Sequence, residues 1–141
     1  MGCFFLKNRF FSMAKKTIRD IDLAGRRILM RCDFNVPLDS CGNITDDTRI
    51  LGAIPSIRYL SEHGARVILC SHLGRPAGEV NPEFSLSPVA ARLADLLGME
   101  VGFVESCVGE EAISSTASLK DGELLLLENV RFHKEETVND S

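Results

Sequence analysis

No stretch of this chain stays apolar for the roughly 18 residues that a bilayer-spanning helix needs, so no transmembrane segment is expected. No Cys-x-x-Cys spacing occurs, and the cysteine count of five (Cys3, Cys32, Cys41, Cys70, Cys107) is odd. A disulfide framework is therefore not expected, and a reducing intracellular compartment fits best. There is no Gly-x-x-x-x-Gly-Lys phosphate loop, no internal repeat and no low-complexity tract. A basic face is also lacking: the first 19 residues hold five of the 16 basic side chains and none of the 20 acidic ones, so the rest is more acidic than the overall charge of −4. Such a body makes a poor nucleic-acid partner.

At 141 residues, 45% hydrophobic and 26% charged, the chain has the make-up of one globular domain or a piece of a larger one. Its beginning reads differently. Met1-Gly2-Cys3 invites lipidation, but Leu6 stands where Ser or Thr belongs. Phe4-Phe5-Leu6 is too short for a signal-peptide core and is cut by Lys7. The stretch is basic enough for an organelle transit segment but poor in serine. We read residues 1–12 as a disordered leader, with the folded part starting near Met13.

Four short apolar runs, Ile28–Cys32, Val67–Cys70, Val101–Val104 and Leu124–Leu127, predict strands covered on both faces. Helical spacing lies between them. One helix is expected from about Arg49 to His63, with Ile50, Ile54, Ile57 and Leu60 on its apolar face and Pro55 kinking or restarting it. A second is expected from a Ser87 cap to Gly98, with Val89, Leu93, Leu96 and Leu97 at helical spacing, and a shorter one from Val108 to Ser114. Residues 76–88 read as a long irregular loop. Strand and helix in alternation predict a doubly wound α/β domain with a parallel sheet, a Rossmann-like three-layer αβα arrangement.

The chemistry collects where strands end. Strand one runs into Asp33 and Asn35, strand two into Ser71-His72-Leu73-Gly74-Arg75-Pro76, and the fourth into Glu128-Asn129-Val130-Arg131-Phe132. In a parallel sheet these ends share one edge, where ligands bind in open α/β folds. His72, Arg75 and Arg131 would converge there, joined by Arg49 from the next helix's first turn, and arginine's planar fork suits phosphate or carboxylate. Asp33 and Asn35 add an acceptor and an amide for a hydroxyl. Each residue also has a plainer reading. Asp33 could cap a turn, His72 could be a satisfied structural histidine, Arg75 a solvated loop charge like Arg58, Arg66 and Arg92, and Gly74 a turn residue. Arg131 could pair with Glu128 or Glu135.

The segments Arg31–Pro37, Ile44–Arg49, Ser71–Pro76 and Leu126–Phe132 resemble, in order and spacing, the successive amino-terminal motifs of the phosphoglycerate kinase family. Met13–Ile18 resembles the start of bacterial-type members, so the resemblance covers about residues 13–141. It implies transfer of a phosphoryl group between 1,3-bisphosphoglycerate with ADP and 3-phosphoglycerate with Mg-ATP. Asp33 and Asn35 would hold the glycerate hydroxyl and carboxylate region, His72, Arg75 and Arg131 the non-transferring phosphate, and Arg49 would be the catalytic group that steadies the phosphoryl in flight. Phe34, Leu73 and Gly74 lie inside these substrate-binding segments.

Cys32 departs from the usual valine of the family, a small change of a buried type. Family members are much longer and have two domains. The resemblance therefore implies that residues 13–141 are an incomplete amino-terminal 3-phosphoglycerate-binding domain. It places Mg-ATP or Mg-ADP on a second, absent domain, leaves out one further substrate-binding arginine, and leaves this chain with no metal or nucleotide ligands of its own. The full-length protein is expected to be a monomer that binds neither nucleic acid nor membrane. The resemblance implies the cytoplasm, an organelle being the alternative that the basic leader offers. The alternatives are a binding module that holds phosphorylated acids without turnover, and a product with no stable fold, since sheet edge and apolar surface would lie bare.

Overall fold

The computed structural model describes residues 15–139; the leader read at residues 1–12 lies outside them. Four strands form one parallel sheet: β1 (Arg27–Arg31), β2 (Arg66–Cys70), β3 (Val101–Val104) and β4 (Leu124–Leu127). The spatial order is β1-β2-β4-β3. The helices are α1 (Thr48–Glu62), α2 (Ser87–Leu97), α3 (Gly109–Ser118) and the short α4 (Lys134–Val138). Single 3-10 turns cover Ile18–Asp20, Pro82–Phe84 and Val130–Phe132.

The alternation of a strand splits its side chains between two cores. Val67 and Leu69 of β2, with Leu124 and Leu126 of β4, pack on one face against Ile50, Ile57 and Leu60 of α1 and Val89, Leu93 and Leu97 of α2. Ile68, Leu125 and Leu127 point the other way, onto Val104, Ala112 and Leu119 around α3. The expected three layers are present, and the apolar faces of α1 and α2 are those that their spacing predicts.

Several local expectations need correction. Coverage on both faces holds for β2 and β4 but fails for β1, whose exposure alternates. That strand is at the sheet edge, beyond the reach of the α3 layer, so Leu29 is 67% exposed between the outward Arg27 and Arg31. Pro55 sits inside an α1 that runs unbroken from Thr48 to Glu62. Ser87 is the first residue of α2 rather than its cap; Leu86 occupies the cap position and Ser85 Oγ accepts from the Ser87 N–H. Gly98 ends α2 as foreseen, in the left-handed conformation. The third helix is longer than expected and ends at Ser118. Arg66 and Arg92 are not loose charges; they pair with Asp121 and Asp47.

Leu126 is fully buried at the centre of the sheet. Leu126→Ala should lower unfolding free energy by about 2–5 kcal/mol, whereas Leu29→Ala should stay within about 0.5 kcal/mol. Urea denaturation of both variants checks the contrast.

Candidate functional site

The three strand ends that carry polar residues belong to β1, β2 and β4, which are immediate neighbours. The fourth strand, β3, forms the far edge. Beyond Arg31 the chain keeps an alternating pattern: Cys32, Phe34 and Val36 turn into the core, while Asp33 is exposed and Asn35 half-buried. The side chains of Phe34 and Leu73 are thus core anchors that fix the crevice wall from behind. Burial also pushes the Cys32 thiol up to about 12, consistent with packing rather than reactivity.

A buried polar network joins the ends. The Phe34 N–H donates to Ser71 Oγ at 3.0 Å, and the Val130 N–H to the Ser71 carbonyl at 3.1 Å. Asn129 is completely buried. Its Nδ2 donates to the carbonyls of Leu73 (2.7 Å) and Phe84 (2.9 Å), and its Oδ1 accepts from the Arg131 N–H (3.0 Å). Glu128 accepts from Ser85 Oγ and from the N–H groups of Leu86 and Asn129. The Glu128 carboxylate is therefore engaged away from Arg131, and it braces the 76–88 loop where it enters α2.

Gly74 is the hinge between two walls. Its N–H donates to Asn35 Oδ1 at 2.9 Å, and its carbonyl accepts from Arg131 Nη1 at 3.2 Å. Its φ is +62°, and a Cβ there would lie 2.4 Å from the Phe84 ring, so only glycine lets the loop pass. A cleft of about 440 Å³ adjoins this point, lined by Asn35, Leu38, Leu73, Gly74 and Phe84. A separate groove of about 530 Å³ runs beside α2 past Asn43, Thr45 and Asp47, but its arginine, Arg92, is already held by Asp47.

Arg131 and His72 form the buried part of the cluster. Arg131 Nε and His72 Nδ1 are both buried and have no hydrogen-bond partner among the described residues. Burial, and then the Arg131 charge, hold His72 below the ordinary histidine range, against an opposing pull from Asp33. Buried polar nitrogens left unpaired are costly unless a ligand satisfies them. Arg49, the second residue of α1, places its Nη1 3.0 Å from both oxygens of Asp33. That helix start is built by Asp46, which accepts from the Thr48 N–H and hydroxyl, and by Asp47, which ties α1 to α2 through Arg92. Arg75 is exposed, and no ion pair holds it among the described residues.

Two residues of the cluster were not singled out from the sequence. Arg31, the last residue of β1, donates to Glu136 of α4 at 2.6 Å, and a second Glu136 oxygen lies 3.7 Å from Arg131 Nε. Period-two alternation from Asp33 puts Arg31 on the same face; no sequence signal marks Glu136. No group of three His, Cys, Asp or Glu side chains among the described residues is placed to hold a metal ion.

Fold and cluster together define an α/β domain with a cluster of arginine and histidine side chains at the carboxyl ends of three adjacent strands. The family model described as phosphoglycerate kinase matches residues 18–141, and the chain belongs to that family. It is 59% identical over 129 residues to the phosphoglycerate kinase of Chlorobium chlorochromatii, covering 92% of this chain and 32% of that protein. It is 58% identical to that of Borrelia turicatae over 127 residues, covering 90% and 32%. A phosphoglycerate kinase crystal structure from Pyrococcus horikoshii superposes with a TM-score of 0.78 at 33% identity, covering 84% of this chain and 29% of that one. One from Coxiella burnetii gives 0.71 at 38% identity, with 83% and 28% covered. The chain thus spans about a third of the length of the curated relatives it matches.

The His72 ring should titrate below ~6.5, its usual value. The folded state then binds fewer protons than the unfolded chain, so this group removes stability as pH falls from ~6.5 through its folded pKa, and is neutral in effect above ~6.5. An NMR titration of the ring protons, beside unfolding measured across the same pH range, checks both statements; a folded value above that of an unfolded peptide would contradict them.

Proposed function

We propose that this chain is the 3-phosphoglycerate-binding part of a phosphoglycerate kinase. The reaction is reversible phosphoryl transfer between the acyl phosphate of 1,3-bisphosphoglycerate and ADP, giving 3-phosphoglycerate and Mg-ATP. The observation that carries the reading is the pair of buried, unpartnered nitrogens on His72 and Arg131, set at adjacent strand ends in a member of this family.

In this reading His72 and Arg131, with Arg75 closing from the exposed loop, grip the phosphate that stays on the substrate. Asp33 and the free amide nitrogen of Asn35 meet the glycerate hydroxyl and carboxylate region; the Asn35 carbonyl oxygen is already committed to Gly74. Arg49 supplies positive charge to the phosphoryl group in transit. Phosphoryl transfer needs positioning and charge more than covalent help, so a guanidinium suits the step. Its present tie to Asp33 is a solvent-exposed ion pair, which is worth little and is readily exchanged for substrate.

The magnesium nucleotide is assigned to a further domain outside residues 13–141, which supplies the transferable phosphoryl. The same reading takes the full-length protein as a cytoplasmic monomer. No helix among the described residues is long and apolar enough to cross a membrane.

The test has two parts. The 141-residue chain should bind 3-phosphoglycerate but show no ATP-dependent phosphorylation of it; turnover by the pure chain would mean that the nucleotide site has been misplaced. In a protein of the relatives' full length, Arg49→Ala should lower kcat by about 10²–10³, the scale for losing one transition-state donor. A loss under about tenfold in a folded variant would sink the role given to Arg49.

A further inference from the structure

Among the described residues, Glu136 is the one carboxylate that reaches the cation cluster from beyond β4. Its two oxygens divide between two arginines: Oε1 lies 2.6 Å from Arg31 Nη2, and Oε2 lies 3.7 Å from Arg131 Nε. The second distance is too long for a hydrogen bond, and Arg131 Nε remains unsatisfied. The arginines, with help from His72, hold Glu136 below the ordinary carboxylate range, so it is ionised wherever the protein is folded near neutrality. The helix that carries it is five residues long and has no buried side chain. A carboxylate therefore sits at the mouth of an anion site on an element with little to anchor it.

We propose that Glu136 is an internal competitor for this site: its carboxylate stands in for the ligand's phosphate when the site is empty and must yield when a phosphorylated acid binds. The inference rests on the anion-site reading above and deepens it. Physically, the exchange trades one charge-assisted bond to Arg31 for phosphate contacts that also satisfy Arg131 Nε and His72 Nδ1. The competitor keeps two arginines from facing each other unshielded in the empty protein, and it weakens every anion at the site by the cost of displacing it. Release would also free Arg31 to face the bound ligand. The groups facing His72 are Arg131, Asp33, Arg31 and Glu136, so removing one carboxylate changes the field at the ring in a known direction.

The experiment uses the full 141-residue chain as wild type, Glu136→Gln, Glu135→Gln and Arg131→Gln, titrated calorimetrically with 3-phosphoglycerate and separately with inorganic phosphate. Glu135 is exposed on the same helix and serves as the control. Glu136→Gln should bind both probes about three- to tenfold tighter than wild type, as one like charge removed at short range allows. The gain should shrink as salt rises, and Glu135→Gln should match wild type. Without ligand, the His72 ring should titrate lower in Glu136→Gln than in wild type. Equal or weaker binding of inorganic phosphate by Glu136→Gln, or an unmoved His72, would overturn the competitor role. The substrate reading fails separately: if 3-phosphoglycerate binds no better than inorganic phosphate, and Arg131→Gln binds it as well as wild type does, that reading goes, while tighter phosphate binding by Glu136→Gln still supports the competitor.

Discussion

One fully buried side-chain amide organises the business end of this domain. Asn129 sits where water cannot reach, so each of its polar atoms needs a protein partner, and so do the carbonyls beside it. It meets that demand by bonding Leu73, Phe84 and Arg131 at once. These lie on the loop after β2, on the turn before α2 and on the segment after β4. Once Asn129 is satisfied, the relative positions of those segments are no longer free. Gly74 then lies against Phe84 at a distance that admits no side chain, and its two backbone groups reach Asn35 on one side and Arg131 on the other. The crevice follows from a backbone and amide framework, with the charged groups mounted on it.

That framework explains which polar atoms are left over. Among the described residues, nearly every buried polar group at the strand ends has a partner, the accepting Glu128 carboxylate included, yet Arg131 Nε and His72 Nδ1 have none. In a sheet edge otherwise so fully bonded, the two exceptions follow adjacent strands, and the Arg131 charge is felt at the His72 ring. Arg49 and Arg31 are held differently, each by an exposed or half-exposed carboxylate, Asp33 and Glu136. Fixed, unsatisfied groups sit at the back of the site and exchangeable ion pairs stand at its mouth.

Much of the fold was legible because burial on both faces leaves a strong mark. The run Leu124–Leu127 and the spacing Val89, Leu93, Leu96, Leu97 carry that mark, although Leu96 is only partly buried. β1 misled because an apolar core residue and an apolar exposed one look alike in sequence; Leu29 is exposed only because its strand is at the edge. Pro55 does not restart the helix, since an α1 packed along its inner face tolerates one missing hydrogen bond. At the site, Asp33, Asn35, His72, Gly74 and Arg131 could be placed at one edge from strand ends alone. Arg75 could be placed on the right loop, but not its lack of an ion-pair partner. Glu136 was invisible: it is 105 residues from Arg31 in sequence, and only the turn after β4 brings α4 back over the edge. Pairings of that kind depend on loop geometry, which periodicity does not carry.

The most direct test of the account is a crystal structure of this chain with 3-phosphoglycerate bound. The ligand's phosphate should lie within hydrogen-bond distance of both Arg131 Nε and the His72 ring, on the edge formed by β1, β2 and β4. A phosphate bound elsewhere, with those two nitrogens still unpaired, would contradict it.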